Sequence, residues 1–140
     1  MKGIILMSHG PLAMGMYETT KLFMGEEIPQ YDYLCLNAAD APEDFDIALK
    51  KKIEEVDSGE GVILIADLMG GTPCNRALMT LLNGNIDLLA GMNLAMVLEL
   101  LGNRLSGNYE IGDLENTGKD GVVYVNPIFM SQMSGSDEDE

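Results

Sequence analysis

The sequence predicts an α/β fold in three layers, with helices on both faces of a mostly parallel central sheet. Three observations predict it. Short β-rich apolar runs alternate with longer stretches of helical period; the central runs are apolar on both faces, as strands covered from both sides are; and proline or glycine marks most of the changes between them. At 140 residues this is one domain's worth of chain, able to bury a core without disulfide or metal staples.

The elements follow in order. Gly3 to Met7, GIILM, reads as the first strand. Leu12 to Met24 reads as a helix opened by Pro11 and closed by Gly25, a residue suited to the C′ position. Tyr31 to Leu36 is the second strand. From Asp40, with Pro42 early, apolar residues at Phe45, Leu49, Ile53 and Val56 recur at helical spacing and turn Lys50 to Lys52, Glu54 and Glu55 mostly outward. Gly61 to Ala66 and Ile86 to Ala90 are the third and fourth strands, with helices predicted over Pro73 to Leu82 and from Leu94 to about Leu101. Gly121 to Val125, rich in β-branched residues, reads as a fifth strand, either at an edge or given to a partner subunit. Residues 1–130 form the predicted domain. Residues 131–140 lack apolar periodicity and end Asp137-Glu138-Asp139-Glu140, which predicts a disordered acidic tail.

Composition removes several function classes. A net charge of −15, with Lys50 to Lys52 the only basic run, argues against nucleic acid and against an anionic membrane face. Cys35 and Cys74 stand far apart without a CxxC or disulfide spacing, which fits a reducing cytoplasm and two small buried hydrophobes. The apolar run at the start is too short for a signal-peptide core, and no stretch approaches the length of a membrane span. With one histidine in the chain, a histidine-built metal site or a catalytic histidine pair is excluded. Any histidine chemistry belongs to His9.

Open parallel sheets bind ligands at the carboxyl ends of their strands. There the sequence places Ser8-His9-Gly10-Pro11 after the first strand and Asp67-Leu68-Met69-Gly70-Gly71-Thr72-Pro73 after the third. Asp67, at the end of an adjacent strand, is placed to accept a hydrogen bond from His9 Nδ1–H and leave Nε2 as a nucleophile. Gly70 and Gly71 allow close backbone approach, and free N–H groups at a helix start with the Thr72 hydroxyl suit phosphate oxygens. Taken singly, each feature has a bland reading: an exposed histidine, a glycine turn, a helix-capping aspartate, and in Ser8 a loop hydrogen bonder. Their coincidence at one sheet edge reads as a phosphohistidine site. Arg76 is the nearest cation in sequence, and scarcity of positive charge suits a group that passes its phosphoryl on.

These residues resemble the mannose-type IIA components of the bacterial phosphoenolpyruvate-dependent sugar phosphotransferase system. The likeness covers about the first 125 residues and rests on SHGP at Ser8 to Pro11, DLMGGTPCN at Asp67 to Asn75 and GMNLAMVLELL at Gly91 to Leu101, in that order. The resemblance implies a cytoplasmic phosphocarrier without metal or cofactor. It takes a phosphoryl group from the carrier protein HPr and passes it to a separate IIB component, which serves sugar entry through membrane IIC and IID proteins. It implies His9 as the phosphorylated residue, Asp67 as the orienting acid, Ser8, Gly71 and Thr72 as phosphate neighbours, and a homodimer that exchanges an antiparallel last strand. Pro11 and Met69 depart from the family pattern and bear on the surface offered to partners. Two other readings share the histidine: the phosphocarrier subunit of a dihydroxyacetone kinase, and a regulatory binding module read out by its phosphorylation state.

Overall fold

The computed structural model describes residues 1–138. Asp139 and Glu140, part of the predicted tail, lie outside the described residues. The order is β1 (Gly3–His9), α1 (Leu12–Met24), β2 (Tyr31–Leu36), α2 (Pro42–Val56), β3 (Val62–Ala66), α3 (Thr72–Ala77) running on as a 3-10 helix (Leu78–Asn83), β4 (Ile86–Ala90), α4 (Leu94–Ser106), α5 (Ile111–Asp120) and α6 (Val125–Glu138). The sheet is parallel throughout, in the order β2-β1-β3-β4.

Strand alternation builds the two outer layers. Ile4 and Leu6 of β1 with Ile63 and Ile65 of β3 face Ala13 of α1, Val97, Leu100 and Leu101 of α4 and Leu114 of α5. Ile5, Met7, Val62, Leu64 and Ala66 face Phe45, Leu49 and Val56 of α2 and Cys74 and Ala77 of α3. The three-layer architecture read from the sequence is the one observed. Both sides of β1 and β3 are buried because both faces of the sheet are covered, which is why Ile4 to Met7 and Val62 to Ala66 are apolar at every position.

The strand order fixes where a site can form. From β1 the chain leaves through α1 toward β2 on one side, and from β3 it leaves through α3 toward β4 on the other. The neighbouring pair β1 and β3 is therefore the topological switch point, where departing helices leave a crevice beyond the strand ends.

Three expectations change. Residues 121–124 are not a strand but the connection from α5 to α6, with Val122 and Tyr124 exposed. β-branched content measures fit to a pleated surface, and this run pairs with none of the chain's own strands. Residues 131–138 are helical as the continuation of α6, whose apolar residues Ile128, Phe129 and Met130 are exposed. Finally, α5 stands where the sequence predicts no helix: Gly112 and Gly118 weaken its helical signal, and Leu114 is its one buried large side chain. Gly118 permits the contact that holds it, since a Cβ there would stand 2.7 Å from Met96 Cε of α4.

Candidate functional site

β1 extends two residues beyond the apolar run and carries Ser8 and His9 within it, paired with Cys35 and Leu36 of β2. Period two then separates them. Ser8, in phase with Ile4 and Leu6, turns toward α1, where its hydroxyl donates to Gly10 O at 2.9 Å and accepts from Ala13 N–H at 2.7 Å. It is fully buried. The hydroxyl's hydrogen is committed to a carbonyl, so Ser8 shapes the turn into α1 and is not brought to the exposed histidine. His9, in phase with Ile5 and Met7, lies beside the loop that opens α3.

Asp67 follows directly on β3. Its backbone N–H donates to Met7 O at 3.0 Å, prolonging the β1–β3 pairing by one step. Its Oδ2 accepts from the His9 backbone N–H at 3.0 Å and lies 2.9 Å from His9 Nδ1. A carboxylate is acceptor only, so Nδ1 carries the proton and Nε2 keeps its lone pair. The His9 side chain is 46% exposed while that of Asp67 is 11% exposed, so the ring stands at the surface with its carboxylate partner beneath. Asp67 Oδ1 is buried without a hydrogen-bond partner, so the side chain's hydrogen bonds run through Oδ2 alone.

The opposite edge of the ring meets Gly71. A Cβ at that position would lie 2.5 Å from His9 Cε1 and 3.2 Å from Nε2, so no residue but glycine fits without moving the histidine. Gly70 takes φ +82°, which glycine tolerates and side-chain-bearing residues resist. Thr72 opens α3, with Pro73 in the first helical turn where a missing N–H costs nothing. His9, Asp67 and Gly71 are thus assembled at the switch point, with Thr72 next along the loop. Asn75, the last residue of the DLMGGTPCN motif, donates through its side chain to Gly70 O at 3.0 Å. Asparagine inside a short helix is locally unfavourable, which is the sequence signal that its side chain serves a backbone contact.

Arg76 points away. It donates to Asp46 of α2 at 3.0 Å through Nε and again through its terminal nitrogen. The pair raises its pKa and lies along a cavity of about 660 Å³ between α2, α3 and the start of β4, one that does not include His9. The histidine lies on open surface; Leu12, three residues after it, and Leu68 and Met69, directly after Asp67, are exposed. Among the described residues, no group of three or more His, Cys, Asp or Glu could hold a metal ion, and no helix is long and apolar enough to cross a membrane.

Residues 3–116 match the family model EIIA-man, described as PTS system fructose IIA component. The chain belongs to this family. Among solved structures it is similar to the PTS IIA protein associated with the fucose utilization operon from Streptococcus pneumoniae, at 28% identity and a TM-score of 0.81, covering 91% of this chain and 96% of that one. It is similar also to the mannose/sorbose specific IIA subunit of Enterococcus faecalis, at 30% identity and a TM-score of 0.74, covering 88% of this chain and 94% of that one. A sigma-54 interaction domain protein from Enterococcus faecalis shares the fold alone, at 15% identity and a TM-score of 0.66, over 94% of this chain and 95% of that one. The protein is therefore a IIA component of a sugar phosphotransferase system.

Proposed function

We propose that this IIA component is a phosphohistidine carrier that accepts a phosphoryl group from phospho-HPr on His9 Nε2 and delivers it to a IIB component. The observation that carries the reading is the bond from His9 Nδ1 to Asp67, which leaves Nε2 as the ring nitrogen for the phosphoryl group. In the accepting step that lone pair forms a bond to phosphorus as the donor histidine's nitrogen–phosphorus bond breaks, and its electron pair returns to the donor ring. His9 becomes positively charged while it carries phosphate, and the Asp67 carboxylate offsets that charge through the Nδ1 proton. Delivery to IIB is the same step in the opposite sense. Phosphoryl transfer of this loose kind depends on alignment and charge rather than on a further covalent group.

Two further observations support it. Arg76 is tied to Asp46, so its charge is not spent on the phosphoryl group. The exposed apolar side chains Leu12, Leu68 and Met69 suit a site approached by another protein rather than one closed over a small substrate. Thr72 and the backbone of Gly71 are the phosphate neighbours in this reading.

The carrier works in the cytoplasm as a homodimer, its IIB component serving sugar uptake through membrane IIC and IID proteins. Support for the dimer comes from β4, the last strand of the sheet, whose outer side borders a groove of about 610 Å³ lined by Leu78, Leu81, Leu88 and Val122. The exposed run Val122–Val125 of a second copy is of a kind to lie along it.

Incubation of the protein and its His9→Ala variant with phosphoenolpyruvate, enzyme I and HPr tests the carrier. The expected result is one acid-labile phosphate on the native chain and none on the variant, with onward transfer to a IIB protein. Equal labelling of the variant overturns the site. Transfer to a dihydroxyacetone kinase subunit in place of IIB overturns the acceptor, and a phosphate never given up makes the protein a signalling module.

A further inference from the structure

We propose that Asn75 is a positioning residue for His9, acting through the glycine pair that packs on the histidine ring. Part of its test rests on the carrier reading above; the geometry does not. Gly71 must lack a side chain because the ring occupies the space, at 2.5 Å from a Cβ built there. Gly70 must lack one because its φ is +82°. Two adjacent glycines have more backbone freedom than any other pair, so the feature that lets the loop reach the ring also leaves it loosely held.

Asn75 supplies the restraint. Its side-chain Nδ2 donates to Gly70 O at 3.0 Å, and its backbone N–H donates to Gly71 O at 2.9 Å. One residue thus holds the carbonyls of both glycines. Within the loop, Gly71 N–H reaches Leu68 O at 3.2 Å, which fixes the turn but not its distance from β1. The link to a rigid body is α3, whose Cys74 and Ala77 are buried in the core between sheet and helices. The chain of contact runs from core to α3, from Asn75 to Gly70 and Gly71, and from Gly71 to His9 Cε1.

The ring is consequently gripped on two edges, by Asp67 at Nδ1 and by Gly71 near Cε1. Asp67 sets the tautomer and Gly71 sets the rotation, which aims Nε2. In-line transfer is sensitive to aim, and small misplacements of an attacking atom lower rates steeply. Asparagine meets the need where its isostere cannot: aspartate has no N–H to donate and would set a carboxylate oxygen against the Gly70 carbonyl.

The test compares the full chain with Asn75→Asp, Asn75→Ala and Asn75→Gln. Three readings are taken: thermal midpoint, the ¹H, ¹³C and ¹⁵N resonances of the His9 ring, and single-turnover phosphorylation by phospho-HPr. For Asp and Ala the expected result is a near-native thermal midpoint, a shifted or broadened Cε1–H signal with the Nδ1–H tautomer kept, and a transfer rate lower by about tenfold. Glutamine, which retains the donor, is expected to recover part of the rate. Ring signals unchanged in a folded Asp or Ala variant overturn the proposal, as does a rate loss confined to the KM for HPr, which would make Asn75 a docking contact. Should the native chain take no phosphate, the carrier reading fails while the ring resonances still decide the role of Asn75. An Ala variant that fails to fold leaves the decision to the isosteric Asp variant, and loss of folding in both overturns a positioning role in favour of a structural one.

Discussion

A single carboxylate oxygen, Asp67 Oδ2, accepts from both the backbone N–H of His9 and its ring Nδ1, at 3.0 and 2.9 Å. The two bonds make different demands on a substitution. Asp67→Asn preserves shape, but its amide either turns an NH₂ toward the two donors or offers them a weaker, uncharged acceptor. The tautomer preference weakens, and the positive charge of the phosphorylated ring is no longer offset. Phosphoryl transfer is expected to fall roughly tenfold to a hundredfold while the labelled residue stays His9. ¹⁵N spectra of the ring should show a mixed tautomer population; an unchanged Nδ1–H tautomer together with a native rate would remove Asp67 from the mechanism.

Gly71→Ala separates crowding from backbone strain. Gly71 itself has φ −75°, open to any residue, so alanine costs nothing in the backbone and meets only the His9 ring. The expected outcome is a thermal midpoint within a few degrees of native and phosphorylation reduced by at least tenfold, because the ring has to rotate off its position. Gly70→Ala differs in kind: there the open space offers no clash, but φ +82° imposes a penalty of about 1 kcal/mol or more. If alanine at 71 leaves both rate and ring resonances native, the loop yields more readily than its bonds to Asn75 imply.

The contrast between these residues shows what the sequence reveals. β1, β3 and the helices behind them are legible because burial on both faces leaves an apolar run no alternative, and their ends bring His9 and Asp67 together. Ser8 is adjacent to His9 in sequence yet faces the other layer, because proximity along a strand reverses direction at every residue. The run at 121–124 has strand composition but pairs with no strand of its own chain, whereas α5 has poor composition and is held by Leu114 and by Asn93, whose amide donates to Gly118 O at 2.6 Å. Tertiary partners decide such segments, and local propensity cannot see them.

Tyr31 carries a pH signature of the fold. Its ring is buried between sheet and α1, its hydroxyl is 2.8 Å from Thr20 Oγ1, and burial pushes its pKa up to about 12. The folded state therefore holds the proton where the unfolded chain, at about 10, has lost it. The stabilising contribution is complete below pH 10 and is lost as pH rises from about 10 toward 12, by up to about 2 to 3 kcal/mol. Denaturant titrations across pH 9 to 12 should show this decline in the native chain and a shallower one in Tyr31→Phe. Equal slopes would assign the alkaline loss to the other tyrosines and to general repulsion.

Arg104 is the strongest structural commitment away from the site. It is 3% exposed, and its guanidinium donates to Lys2 O and Gln30 O at 3.0 Å each and to Pro29 O, tying α4 to the amino ends of β1 and β2. No carboxylate is among these partners, and burial lowers its pKa from the usual arginine value. The planar fork reaches three carbonyls at once, which a lysine ammonium on a flexible stem cannot reproduce. Arg104→Met removes three charge-assisted bonds but also relieves the cost of burying a cation, for a net loss of about 2 to 4 kcal/mol. That corresponds to a fall in thermal midpoint of roughly 5 to 15 °C, with Arg104→Lys recovering little of it. Because these bonds lie at the opposite end of the sheet from His9, phosphorylation of the folded variant should remain native. Full recovery by lysine would show that charge alone, rather than the geometry of the fork, holds the strand starts together.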